Sequence, residues 1–319
     1  MIFIDWISTP YHRNFNRAFF DAIEITKGIC YVFSKSLIID EVNCIEIKSK
    51  DNRFSRAIEV IKICIKHKNQ KIFFLTYDPF LVPILKLIKS KFFVFEHNTT
   101  PDETKSHLYK KFQKIFYKNI IRLAQFPGQY EILKDMNQCV TYLGSPLRKK
   151  NSEEILLEKN ISKRQYFILP SYRASMPDQN LIKNLISPNY IYVKVNSNNT
   201  HNDKFFKKND VIRVDSIELE TDNKNILGTF INVNSDVRGT GWYNESITHS
   251  LPILICNNKT EKLFKGTFPL YPYLKIEKNI SNEFFYSSLN QLRKFNNINY
   301  IDNHNDKFKK NFLNCVDSI

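Results

Sequence analysis

The sequence predicts an α/β protein with two parallel sheets, because strand-like apolar runs alternate with amphipathic helical segments along the chain. A polar, charged stretch near the middle divides this alternation into two similar halves. The length of 319 residues suits two domains. We therefore expect two Rossmann-like domains whose parallel sheets face each other across a cleft.

The first half contains seven strand-like runs: MIFIDWI, ICYVFS, CIEI, KIFFLTY, FFVFEH, RLAQFP and CVTYL. Apolar residues recur at helical spacing between them, which predicts helices over 13–26, 53–67, 80–90 and 104–120. Because most of these runs are almost continuously apolar, they fit a parallel sheet that helices cover on both faces.

A Gly-Ser-Pro turn at 144–146 ends the first block, and the charged stretch LRKKNSEEILLEKNISKRQ follows it. This boundary predicts an N-terminal domain over 1–146 and a C-terminal domain over 147–319. The second half has its own strand-like runs, YFILPS, YIYVKV, VIRVDS, LGTFINVN and LPILICN. Two closing helices, over 283–294 and 305–316, are expected to belong to the C-terminal domain.

Composition limits the classes of partner. The net charge of +15 and the pI near 9.4 indicate attraction to an anionic partner such as a phosphorylated molecule, a lipid headgroup or nucleic acid. The lysines are spread over many segments, so we expect no nucleic-acid partner. The six cysteines have no metal-ligand spacing, so no metal site is expected. No apolar run is long enough to span a bilayer, which predicts a cytoplasmic protein.

The segment RGTGWYNESITHSLPILI, which begins at Arg238, predicts a phosphate site. Gly239 and Gly241 let a ligand approach the backbone amides just before a predicted helix, whose dipole favours an anion there. Glu245, one turn further on, can accept hydrogen bonds from ribose hydroxyls. The alternative is an ordinary tight turn before a solvated helix. We assign donor binding to Arg238, Gly239, Thr240, Gly241, Asn244 and Glu245.

Further candidates follow other predicted strands, where ligands bind in open α/β sheets. Arg173 follows YFILP, and its fork of donors suits a diphosphate. Lys194 lies at the end of YIYVKV and is assigned to the same donor site. His97 ends FFVFEH, and His12 lies in the first loop, so either imidazole is a candidate base for an acceptor hydroxyl. In the alternative, His97 bonds to neighbouring backbone and only shapes its loop.

Three segments resemble glycosyltransferases of the GT-B fold: VTYLGSPL, FVFEHN and, most strongly, DVRGTGWYNESITHSLPIL. The resemblance implies that the glycine-containing loop and Glu245 form a nucleotide-sugar site in the C-terminal domain. It also implies that His97 faces the interdomain cleft and that the N-terminal domain binds the acceptor. Many retaining members carry two glutamates eight positions apart in this motif; Glu245 matches the second, and Val237 stands where the first would be.

The implied function is glycosyl transfer, without a metal, from a nucleotide sugar to a hydroxyl of a glycan or lipid-linked acceptor in cell-surface polysaccharide synthesis. The nucleotide sugar is a co-substrate, and no separate cofactor is expected. Two alternatives remain open. One is a non-catalytic α/β protein that binds nucleotides or nucleic acid, and the other is a nucleotide-sugar epimerase of the same fold.

The segment 105–120 is strongly amphipathic. Its apolar stripe consists of Leu108, Phe112, Ile115 and Phe116, and its lysines, at 110, 111, 114 and 118, fall elsewhere around the helix. Such a helix can lie on an anionic membrane. The alternative is an ordinary domain helix whose apolar stripe packs into the core. With a lipid-linked acceptor both can hold, the stripe packing inward while the lysines touch lipid headgroups. Peripheral contact with the inner face of the cell membrane is therefore a further expectation.

Overall fold

The computed structural model describes residues 1–7, 12–24, 28–50, 52–97, 106–118, 120–136, 138–149, 165–170, 191–195, 211–214, 225–232 and 241–318. Internal contacts divide the chain into unit 1, Met1–Arg148 with Asn305–Ile319, and unit 2, Lys149–His304. The division after Arg148 lies two residues from the predicted boundary. Segment 305–319 belongs to unit 1, whereas the sequence led us to expect it in the C-terminal domain.

Unit 1 contains a seven-stranded sheet in the order β3-β2-β1-β4-β5-β6-β7. All its neighbouring strands run parallel. The strands are β1 (Ile2–Asp5), β2 (Ile29–Val32), β3 (Asn43–Glu46), β4 (Lys71–Thr76), β5 (Lys91–Phe95), β6 (Ile121–Ala124) and β7 (Val140–Tyr142). The seven strands predicted from the apolar runs of the first half are thus confirmed.

Five helices are described between these strands: α1 (His12–Ile23), α2 (Arg53–Lys66), α3 (Val82–Leu85), α4 (His107–Phe116) and α5 (Pro127–Asp135). Side chains cap the start of α2, where Asn52 accepts a bond from the Ser55 amide at 2.8 Å, and of α4, where Ser106 caps Tyr109 at 3.2 Å. Helix α3 is shorter than the predicted 80–90, because the turn Pro79–Leu81 precedes it.

Unit 2 contains a six-stranded parallel sheet in the order β10-β9-β8-β11-β12-β13. The strands are β8 (Tyr166–Pro170), β9 (Ile191–Val195), β10 (Val211–Val214), β11 (Ile226–Ile231), β12 (Ile253–Ile255) and β13 (Leu274–Lys275). The described helices of the second half are α6 (Gly241–Thr248), α7 (Asn258–Thr267), α8 (Asn282–Arg293) and α9 (Asn297–Asp317). The five predicted strands are confirmed, and β13 was not predicted.

Helices cover both faces of the unit 1 sheet, as the apolar strands require. On one face, Phe19 of α1 and Phe312 of α9 pack with Phe73, with ring centroids 5.6 Å apart for Phe19–Phe312 and 5.2 Å for Phe73–Phe312. The other face is covered by α2, α3 and α4, which contribute Val60 and Leu85 to a second apolar cluster. Both layers are buried, so the central strands β1, β4, β5 and β6 are buried on both sides.

Strands β11 and β12 of unit 2 approach closely at Gly228. A Cβ atom at Gly228 would lie 2.8 Å from the carbonyl oxygen of Pro252. The neighbouring amide of Thr229 donates to that same oxygen at 2.9 Å. Glycine is therefore required here for space rather than for an unusual backbone angle.

Among the described helices, none has both the length and the apolar character that crossing a membrane requires.

Candidate active site

Polar side chains gather at the carboxyl edge of the unit 1 sheet. Asp5 closes β1, Thr76 closes β4, and His97 follows β5, and these three strands are neighbours in the sheet. Because the strands are parallel, their carboxyl ends share one edge, which is where ligands bind in open α/β sheets. Helix α1 begins with His12 at the same edge.

The carboxylate of Asp5 is fully buried and accepts four hydrogen bonds. Its Oδ2 atom lies 3.0 Å from Nδ1 of His12 and 2.6 Å from Nδ2 of Asn16. Its Oδ1 atom accepts from the Thr76 hydroxyl and, at 3.1 Å, from the Ile7 amide. Burial alone would raise the pKa of Asp5, but His12 and the side-chain hydrogen bonds outweigh it and hold that pKa below its ordinary value.

The ionised Asp5 orients His12. A carboxylate can only accept, so Nδ1 of His12 donates to it, which leaves the other ring nitrogen, Nε2, for another partner. His12 is buried, and its Nε2 has no hydrogen-bond partner among the residues that the structure describes. An imidazole oriented by a carboxylate, with an unoccupied second nitrogen, is suited to take a proton from a hydroxyl group.

His97 lies beside His12, with ring centroids 5.1 Å apart, but its own nitrogens are both occupied. Its Nε2 donates to the Leu75 carbonyl at 2.8 Å, and its Nδ1 accepts from Nε2 of Gln125 at 3.2 Å. Burial lowers the pKa of His97 to about 3. This geometry favours the alternative in which His97 shapes the site, and its assignment as a base stays a prediction.

A buried ion pair sets the position of the β5 end. Nε of Arg122 donates to Oε1 of Glu96 at 2.6 Å, and both side chains are fully buried. The ring of Tyr117 lies 4.3 Å from the Arg122 guanidinium, and the Tyr77 hydroxyl donates to the Glu96 carboxylate at 3.2 Å. Because Glu96 immediately precedes His97, these contacts hold the histidine in place.

The predicted donor residues fall partly inside the described chain. The predicted helix is present as α6, but it begins at Gly241 itself rather than after it. It carries Asn244 and the half-buried Glu245, whose Oε2 lies 3.8 Å from Nε2 of His249. Lys194 lies in β9, where only the backbone is described. The other assigned donor residues, Arg173, Arg238, Gly239 and Thr240, lie outside the described residues. Their roles therefore stay predictions.

Three residues of the site were not predicted: Asp5, Asn16 and Thr76. The available signal was an acidic residue closing an apolar strand, IFID, seven positions before His12. Within the described ranges, no group of three His, Cys, Asp or Glu side chains could hold a metal ion. The expected absence of a metal stays a prediction from the sequence.

No protein-family model and no curated protein sequence matches the chain. Solved structures do match. HepE of Anabaena in complex with UDP and glucose aligns with a TM-score of 0.69 at 10% identity, covering 100% of this chain and 99% of that chain. The same protein in complex with UDP-glucose aligns with a TM-score of 0.63 at 9% identity, covering 100% of both chains.

Two further solved structures are similar over almost the whole chain. A glycosyltransferase from Rickettsia africae has a TM-score of 0.52 at 12% identity, covering 98% of this chain and 93% of its own. UDP-N-acetylglucosamine 2-epimerase from Rickettsia bellii has a TM-score of 0.51 at 14% identity, covering 99% and 95%. These similarities confirm the predicted fold: the chain has two Rossmann-like α/β units of the kind found in GT-B glycosyltransferases.

Proposed function

We propose that the protein is a glycosyltransferase that moves a sugar from a nucleotide-sugar donor to a hydroxyl group of an acceptor. The observation that carries the proposal is the pair of Asp5 and His12 at the carboxyl edge of the unit 1 sheet, with Nδ1 and Oδ2 3.0 Å apart. Similarity along the whole chain to HepE, which was solved with UDP-glucose, supports a nucleotide-sugar donor.

The pair supplies the base for the transfer. Nε2 of His12 takes the proton from the acceptor hydroxyl as its oxygen bonds to the anomeric carbon of the donor sugar. The bond from that carbon to the diphosphate oxygen breaks, and its electron pair leaves with the nucleoside diphosphate. The charged imidazole is stabilised by Asp5, which Asn16 and Thr76 hold in place.

Donor binding is proposed for unit 2. The amides at the start of α6, with Arg238 and Arg173, stabilise the negative charge of the departing diphosphate, so that no metal is needed. Glu245 receives the ribose hydroxyls, and Lys194 contributes a further positive charge near the diphosphate. The nucleotide sugar is thus a co-substrate, and the reaction uses no separate cofactor.

The proposed acceptor is a glycan or lipid-linked intermediate of cell-surface polysaccharide synthesis. We place the protein in the cytoplasm, in peripheral contact with the inner surface of the cell membrane, where a lipid-linked acceptor would be presented. The excess of basic residues, with a net charge of +15, supports contact with anionic headgroups.

The donor site is tested by thermal shift with UDP, GDP, CMP and ADP. One of the four is expected to raise the melting temperature of the wild type by a few degrees, since a ligand that binds only the folded state stabilises it. Glu245→Ala and Arg238→Ala should reduce that shift, whereas His12→Ala should keep it. If none of the four stabilises the wild type, the proposed function fails; if both donor variants respond like the wild type, the assigned donor site is wrong.

An epimerase is the second candidate, since the Rickettsia bellii epimerase shares the fold. The two reactions differ in their need for an acceptor. A transferase releases free nucleotide in proportion to added acceptor, whereas an epimerase converts the donor sugar without one. Nucleotide release that depends on the acceptor, and is lost in His12→Ala, would exclude the epimerase.

A further inference from the structure

Helices α2, α3 and α4 expose large apolar side chains on their outer surface, although their inner surfaces already pack on the sheet. Six of the nine large apolar side chains that are at least half exposed in the described chain lie on these helices or the turns beside them. They are Phe54, Ile65, Phe80, Leu87, Leu108 and Ile115, and we call the surface that they form the α2–α4 face. Their concentration on one side of unit 1 indicates an interaction surface.

The face is continuous from helix to helix. The guanidinium of Arg53, at the start of α2, lies 4.1 Å from the ring of Phe80, which precedes α3. Nζ of Lys86, at the end of α3, donates to the Ile115 carbonyl of α4 at 2.9 Å and lies 5.6 Å from the Phe116 ring. These contacts join the three helices side by side, so their exposed apolar side chains belong to one surface.

The charge of the α2–α4 face is almost entirely positive. No Asp or Glu occurs in 79–91 or in 106–118, the segments that contain α3 and α4. Lysines at 86, 111, 114 and 118 are exposed there. The only acidic residue of α2 is Glu59, which pairs with Lys62 at 2.8 Å. The partner of this face is therefore anionic as well as apolar.

We infer that the α2–α4 face docks on the surface of an anionic phospholipid bilayer. Apolar side chains enter the boundary between headgroups and acyl chains, and lysines beside them attract lipid phosphates. A nucleic acid would be attracted by the lysines alone and would leave Ile65 and Leu87 in water. A second copy of this chain would bring like charges together.

The inference differs from what the sequence of the amphipathic segment predicts. Within α4, Phe112 and Phe116 pack partly buried against the core of unit 1, whereas Leu108 and Ile115 point outward. The stripe is thus shared between core and surface. Most of the exposed apolar side chains come instead from α2 and the region of α3, which adjoin α4 only in the folded chain.

Docking on this face would bring the candidate active site to the membrane. Phe54 and Leu108 lie in the first turns of α2 and α4, and Nη1 of Arg56 donates to the Trp6 carbonyl, just after β1, at 3.3 Å. Since helices begin after the carboxyl ends of strands, this part of the face adjoins the edge that carries Asp5 and His12. This consequence rests on the proposed transfer to a lipid-linked acceptor, but docking itself does not.

The test is co-sedimentation with vesicles of equal parts phosphatidylglycerol and phosphatidylcholine, compared with phosphatidylcholine alone. Wild type should bind the anionic vesicles and bind the neutral ones at least about tenfold more weakly. The triple variant Phe54→Ser, Leu87→Ser, Leu108→Ser should lose roughly tenfold or more in affinity for the anionic vesicles. The control, Phe284→Ser with Ile298→Ser, removes exposed apolar side chains of unit 2 and should bind like the wild type.

A second variant separates docking from general charge attraction. Lys111→Gln, Lys114→Gln, Lys118→Gln should also weaken binding to the anionic vesicles. If the lysine variant loses binding but the apolar triple variant keeps it, attraction is electrostatic only and the inference is overturned. It is equally overturned if the wild type does not bind the vesicles. Gel filtration that shows a dimeric wild type and a monomeric apolar triple variant would also overturn it.

The nucleotide thermal shift distinguishes this inference from the proposed function. The apolar triple variant should retain the wild-type shift, because the substituted side chains belong to unit 1 and the proposed donor site to unit 2. If the wild type binds vesicles through the α2–α4 face but no nucleotide raises its melting temperature, the docking surface stands and the proposed transferase function fails.

Discussion

Nδ1 of His12 lies 3.0 Å from Oδ2 of Asp5, which joins the first residue of α1 to the last residue of β1. Only seven positions separate the two residues in the sequence. The carboxylate is buried and receives further bonds from Asn16 and Thr76, so side chains of two elements, α1 and β4, fix its orientation. The proposed base is thus positioned before any substrate binds.

Replacing His12 is expected to abolish most of the transfer reaction. His12→Ala should lower kcat by about 100-fold to 10,000-fold, the usual contribution of a positioned acid–base group. Asp5→Asn should also lower kcat strongly, because an amide can donate to Nδ1 and so favour the wrong tautomer. The measurement is the rate of nucleotide release with acceptor, together with the nucleotide dissociation constant, which should change little.

The matched control for the Asp5–His12 pair is His67→Gln. His67 is also a buried histidine of unit 1, but it bonds to the Tyr31 hydroxyl at 3.0 Å, away from the carboxyl edge. Its replacement should leave kcat within about twofold of the wild type. A His12→Ala enzyme that keeps a third or more of the wild-type rate would remove His12 from the reaction.

His97 should make unit 1 sensitive to acid. Its pKa in the folded chain is about 3, below its ordinary value of 6.5, because burial disfavours the charged ring. Its contribution to stability is therefore complete above pH 6.5 and is lost progressively as the pH falls toward 3. His97→Gln should show a shallower fall in melting temperature between pH 7 and pH 4 than the wild type.

The control for acid sensitivity is His107→Gln, which replaces an exposed histidine at the start of α4. It should follow the wild-type dependence of melting temperature on pH. Parallel curves for wild type and His97→Gln would show that His97 is not protonated on unfolding in this range.

Breaking the buried ion pair should destabilise unit 1 severely. Arg122→Met leaves the fully buried Glu96 carboxylate without its partner, which costs about 3 to 5 kcal/mol. The double variant Glu96→Gln, Arg122→Met should recover part of that loss, because no charge is left buried. Urea denaturation measures both, with Lys62→Met as the control for an exposed pair, which should cost less than about 1 kcal/mol. A loss no larger than in Lys62→Met would contradict the prediction.

Two glycines should respond differently to the same substitutions. Gly228→Ala forces its new Cβ against the Pro252 carbonyl, 2.8 Å away, and should cost about 1 to 3 kcal/mol through a backbone shift. Gly144 has open space but a φ of +88°, so Gly144→Ala should cost about 1 kcal/mol from backbone strain. Asparagine tolerates positive φ, so Gly144→Asn should be milder than Gly144→Ala, whereas Gly228→Asn should be worse than Gly228→Ala. Thermal melting curves of the four variants check this order.

The sequence was informative about the fold because buried parallel strands are recognisable one at a time. Runs such as IFFL and FFVF are apolar at every position, and each lies within a strand. Helix α5 was missed because it is short and directly follows a strand-like run that includes its first residue, Pro127. Strand β13 has two residues, too few for any periodic pattern.

The candidate site was less predictable because its contacts depend on strand order. His12 was identified as a polar residue in a strand-end loop, but its partner Asp5 was not. The sequence around His12 does not show the direction in which α1 leaves β1, and that direction brings the two side chains together. Thr76 reaches Asp5 only because β4 lies beside β1 in the sheet. The occupied nitrogens of His97 likewise depend on Leu75 and Gln125, which follow from the order of β4, β5 and β6.

The course of helix α9 has a consequence for how the chain is made. Its residues Phe308 and Phe312 fill the core of unit 1, yet unit 2 lies between them and residue 148 in the sequence. A ribosome needs roughly 8 to 30 s to synthesise Lys149–His304 at usual rates of elongation. During that time Phe19 and Phe73 lack the helix that covers them, so unit 1 emerges first and is completed last. A nascent chain at this stage should bind chaperones through that uncovered apolar surface until α9 has been synthesised.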